Sequence, residues 1–90
     1  MTVDEAIMEV VKKMEPGDTF SLLWLTEQVK KIRGHIVTDG TVSRILRYFN
    51  EGRYDNKPYS VSFRYEVVRK GVYRITRVIY SDELIDRVAY

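Results

Sequence analysis

Thr38-Asp39-Gly40-Thr41-Val42-Ser43-Arg44-Ile45-Leu46-Arg47 is the stretch on which the fold turns. Thr38 or Asp39 can accept a hydrogen bond from the free amides of a helix start. Beyond them the apolar residues recur at helical spacing: Val42, Ile45, Leu46 and then Phe49. The spacing predicts a helix from about 39 to 51, closed at Gly52. Thr41, Ser43, Arg44, Arg47 and Tyr48 stand between the apolar positions and can point outward.

Upstream, Ser21 can cap a helix that runs to about Arg33 and ends at a left-handed Gly34. Leu22, Leu25, Val29 and Ile32 form its predicted buried stripe, and Trp24 is assigned to the core or its margin. Only His35-Ile36-Val37 then separates this helix from the cap at Thr38. Before it, Val3, Ala6, Ile7, Val10, Val11 and Met14 line one face of a helix over 2–14. Thr2 and Glu5 have capping-box spacing, and Pro16-Gly17 stops the helix. Its polar side carries Asp4, Glu5 and Glu9, which repel phosphates, so it serves as scaffold. Thr19-Phe20 is a short extended piece.

Downstream, Gly52 to Pro58 reads as a polar loop. The period then changes from helical to two. Val61, Phe63, Tyr65 and Val67 alternate with Ser60, Ser62, Arg64 and Glu66, the pattern of a strand with one wet face. Arg69-Lys70-Gly71 makes a tight turn with Gly71 at positive φ, and residues 72–78 return. Residues 1–80 form the predicted domain. Residues 81–90 form a tail with a short helix capped by Ser81, the expected surface for a homodimer.

The fold class is therefore α+β: three helices, a short first strand between the first two, and a hairpin with a basic tip covering the helices. The 38–47 stretch and the tract Tyr65-Glu66-Val67-Val68-Arg69-Lys70-Gly71-Val72-Tyr73-Arg74-Ile75 resemble, respectively, the recognition helix and the wing hairpin of winged helix-turn-helix proteins. The resemblance spans about residues 3–78. It implies a winged helix that binds double-stranded DNA and regulates transcription, with the helix over 39–51 in the major groove and the hairpin over 60–78 on the backbone or in the minor groove. The long loop before the hairpin and the acidic tail depart from that pattern.

Charge follows the same division. The 90 residues carry a net charge of +2. Residues 1–33 hold five Lys/Arg against six Asp/Glu (net −1), residues 34–79 nine against four (net +5), and residues 80–90 one against three (net −2). A polyanion would meet the middle segment. Thr38, Thr41 and Ser43 suit phosphate contacts near a helix start. Arg44 and Arg47, three apart and so on one side of the helix, can fork onto guanine or clamp a phosphate. Asp39 repels phosphates and is read as a cap. Arg69 and Lys70 at the hairpin tip suit the backbone or minor groove. The competing reading is that Arg44 and Arg47 are solvated, or paired with Glu51 or Asp39 across the helix surface. The alternative function is a winged helix that docks a protein partner, or RNA, without DNA specificity, its basic face incidental.

Other classes find little support. Without cysteine there is no disulfide or thiolate metal site. His35 stands alone, so no metal ligand set or nucleophile–base pair forms, and no glycine-rich phosphate loop occurs. The chain is read as a non-enzyme with no cofactor and no small-molecule ligand. No apolar run reaches the roughly 20 residues of a membrane span, and cytoplasmic residence is expected.

Overall fold

The computed structural model describes residues 1–57 and 60–80. Three helices, α1 (Val3–Val11), α2 (Leu22–Arg33) and α3 (Asp39–Asn50), join three strands, β1 (Thr19–Ser21), β2 (Val61–Arg69) and β3 (Val72–Tyr80). The strands form one antiparallel sheet in the order β1-β3-β2. The architecture is α+β.

Local chemistry sets most of the element boundaries. At α1 the Thr2 hydroxyl accepts from the Glu5 amide while the Glu5 carboxylate accepts from the Thr2 amide, a complete capping box. Hydrogen bonding to Thr2 holds the Glu5 carboxyl below its ordinary range. The regular helix ends at Val11, three residues before the predicted Met14, whose amide bonds Val11 in a tightened last turn. Ser21 caps α2 by accepting from the Trp24 amide at 3.0 Å, and Gly34 ends it at φ 72°.

The helices enclose a core with the inner face of the sheet. Ala6, Ile7, Val10 and Val11 of α1 meet Leu25 and Val29 of α2, Val42, Leu46 and Phe49 of α3, and Phe63 and Ile75 of the sheet. An aromatic chain crosses this core from edge to edge. Phe20, Tyr73, Tyr65, Phe63, Phe49 and Tyr54 follow one another with ring centroids 4.2–5.9 Å apart, each pair adding to the burial of apolar area.

Several burial expectations are corrected. Trp24 is 43% exposed and Ile32 40%, because α2 turns one flank away from the other helices; Thr26 lies inward instead, its hydroxyl donating to the Leu22 carbonyl at 2.8 Å. Val67 is 64% exposed, since β2 runs past the helices before it turns. Ser60 and Ser62, expected on a wet face, are buried. The polar loop after α3 folds inward: Tyr54 is buried on Phe49, and the Ser60 hydroxyl donates to the Tyr54 and Lys57 carbonyls. The C-terminal helix and pairing surface expected at 81–90 lie outside the described residues. No described helix is long and apolar enough to cross a membrane.

Candidate nucleic-acid interface

The start of α3 is built by Thr38. Its hydroxyl accepts from the Thr41 amide at 3.2 Å and shares a 3.0 Å hydrogen bond with the Thr41 hydroxyl. Thr38 is thus the cap, and Asp39 is the first helical residue, where its carboxylate suits the positive end of the helix dipole. The cap occupies the two threonine hydroxyls with each other and leaves one of their protons for an outside acceptor.

At 100° per residue, Arg44 and Arg47 fall on the side of α3 opposite Val42, Leu46 and Phe49. Both are exposed. Neither pairs with Asp39, Glu51 or any other carboxylate among the described residues. Ser43 is half-buried on the flank of this stripe and Thr41 half-buried on the other flank.

The C-terminal end of α3 adds a cation that sequence reasoning missed. Gly52, at φ 83°, folds the chain back over the last turn, and the Arg53 guanidinium comes to 4.0 Å from the centre of the Tyr48 ring. Arg47 approaches the same ring at 5.9 Å. Tyr48 therefore has two guanidiniums within about 6 Å of its ring centre, the nearer being Arg53, a favourable arrangement for an aromatic face. Arg53 also pairs with Glu51 at 3.1 Å, so part of its charge is met. The one signal in the sequence was Gly52 itself, since a left-handed helix end returns the next residue toward the final turn.

β2 lies against this end of α3. The Asn50 side chain accepts from the Tyr65 amide at 3.0 Å, and Arg64 donates to the Phe49 carbonyl at 3.0 Å. Burial pushes the Tyr65 phenol up to about 12; neighbouring Tyr73 adds to this, and Arg47 opposes it. Arg47 is thus within electrostatic reach of the sheet.

Arg69 and Lys70 are exposed at the hairpin tip, and Gly71 has φ 77°. The tip does not project as a long free finger. Ser21 pairs with Val72, and the Leu22 amide donates to the Gly71 carbonyl at 2.9 Å, which fastens the turn to the start of α2. Arg69, Val72 and Trp24 border an open concavity of about 650 Å³ there. The candidate residues therefore form two groups. Thr38, Thr41, Ser43, Arg44 and Arg47 share α3, whereas Arg69 and Lys70 share the tip. Among the described residues no group of three His, Asp or Glu is placed to hold a metal ion.

No family model, no curated protein and no solved structure matches this chain.

Proposed function

We propose that this chain is a winged helix-turn-helix domain that binds double-stranded DNA as a small regulator, with α3 in the major groove. The carrying observation is the Arg44–Arg47 stripe: two exposed guanidiniums on the outer face of a capped helix, with no carboxylate partner among the described residues. A groove about 12 Å wide admits one helix, and forked guanidiniums recognise guanine edges and phosphates. The element order supports the reading. A short link from Gly34 to Thr38 joins α2 to α3, and β1 closes the sheet beside β3. Lys70 and Arg69 supply backbone contacts from the fastened tip, and Arg53 extends the basic surface past the end of α3.

Fluorescence anisotropy with a labelled duplex of random sequence tests this. Binding is expected at about 50 mM salt and is expected to weaken steeply by about 200 mM, as counterion release requires. Arg44→Ala/Arg47→Ala removes it while circular dichroism stays unchanged. Absence of duplex binding at low salt, or an unchanged affinity in the double variant, overturns the proposal. Preference for a double-stranded RNA competitor would reassign the partner.

A further inference from the structure

The outer edge of β2 carries a self-complementary sequence, Glu66-Val67-Val68-Arg69, and we infer that a second copy of this chain pairs with it. The edge is partly closed: the Tyr65 amide, which points away from β3, is taken by Asn50. Main-chain groups alternate along an antiparallel strand, so the Val67 amide and carbonyl also point away from β3. They meet no partner among the described residues. Val67 and Val68 are 64% and 42% exposed there, and an open edge with apolar side chains is a template for another strand.

The pairing register makes the edge complementary to itself. Glu66 lies opposite Arg74 and Arg69 opposite Val72, with one extra residue of β2 between these pairs. Arg74 and Val72 are two apart on β3 and share a face. The extra residue therefore brings Glu66 and Arg69 onto that same face, although their separation of three would place them on opposite faces of a regular strand. When two copies meet antiparallel about a twofold axis between Val67 and Val68, each Glu66 stands opposite the other copy's Arg69, and each Val67 opposite a Val68. Glu66 already accepts from Arg74 at 2.7 Å, so the dimer carries an Arg74–Glu66–Arg69 ladder across the seam, and such directly opposed charges stabilise paired strands. Only four residues of each copy pair, so the dimer is weak and concentration-dependent. In the dimer Arg69 is engaged at the seam and Lys70 makes the hairpin's phosphate contact; in the monomer both are free to do so.

Equilibrium sedimentation of the full chain over a concentration series, without nucleic acid, tests the pairing independently of DNA binding. The wild type is expected to dimerise. Arg69→Glu, which touches no ion pair of the described residues, sets Glu against Glu66 and gives a monomer. Glu66→Arg does the same by opposing Arg69. Because Glu66 also pairs with Arg74, the triple variant Glu66→Arg/Arg69→Glu/Arg74→Glu restores the dimer with all three charges of the ladder exchanged. Circular dichroism checks the fold of each. A wild type that stays monomeric at every concentration overturns the inference, as does a dimer that Arg69→Glu leaves intact or a charge exchange that fails to restore association.

Discussion

Arg64 of β2 holds Asp55 of the loop after α3, donating to one carboxylate oxygen at 3.0 Å and, with the same nitrogen, to the Phe49 carbonyl at 3.0 Å. A second nitrogen bonds the other carboxylate oxygen, so the contact is bidentate. One side chain thereby fixes the last turn of α3, the loop and the sheet. Gly52 sits under this clamp, where a Cβ would come within 3.1 Å of the Arg64 guanidinium. The helix that carries Arg44 and Arg47 is held in place at its far end by this contact.

Loss of the clamp should be costly and pH-dependent. Arg64 holds the Asp55 carboxyl below its ordinary value of 3.8, against the opposing effect of burial. Asp55→Asn is expected to destabilise the domain by about 1–3 kcal/mol at neutral pH. A carboxyl lowered in the folded state contributes fully above its unfolded value and loses that contribution as pH falls through the folded one. Urea unfolding of the wild type and Asp55→Asn should therefore differ most at neutral pH and converge progressively below 3.8. A gap that widens in acid contradicts the assignment.

The cap at Thr38 makes a smaller, local contribution. Thr38→Ala deprives the Thr41 amide of its acceptor and should cost about 1 kcal/mol, with Thr38→Ser recovering most of it. Thermal unfolding measures both. Equal stability of the alanine variant and wild type would mean that water serves the amide as well.

Phe49 and Trp24 separate core from surface. Phe49 is fully buried and touches Tyr54 and Phe63, so Phe49→Ala should cost about 3–5 kcal/mol. Trp24 is half-exposed at the start of α2, and Trp24→Ala should cost under about 1 kcal/mol. Chemical denaturation of the two variants checks the ranking, and a larger loss at Trp24 would reverse it.

On the proposed DNA interface the arginines should differ from the threonines in kind. Arg44→Ala and Arg47→Ala should each lower the slope of log affinity against log salt by about 1 if they meet phosphates. Loss of discrimination between sequences at constant slope would instead mark a base contact. Anisotropy titrations at several salt concentrations distinguish the two outcomes.

Signals that act over three or four residues were legible in the sequence. Thr2, Ser21 and Thr38 cap their helices because the amides they serve lie within the next turn. Gly34, Gly52 and Gly71 take positive φ where a helix or hairpin must reverse. The outward placement of Arg44 and Arg47 also followed from spacing alone, since residues opposite an apolar stripe must face away from it. The passage from helices to hairpin came from the change of period at residue 60.

Tertiary structure decided where those elements overlap. Ile32 and Val67 are apolar at positions with the right period and Trp24 flanks such a stripe, yet all three extend beyond the surfaces that would have covered them, while Thr26, Ser62 and Tyr54 fall under a neighbouring element. No periodic pattern states how far one element reaches past another. For the same reason Arg64 with Asp55, Arg53 on Tyr48 and the tie between Leu22 and Gly71 were invisible before folding. Each joins groups that the chain brings together only when it packs. The sequence by itself determined the capped helix and its arginine face; packing determined what holds that helix and how little of the hairpin stands free beside it.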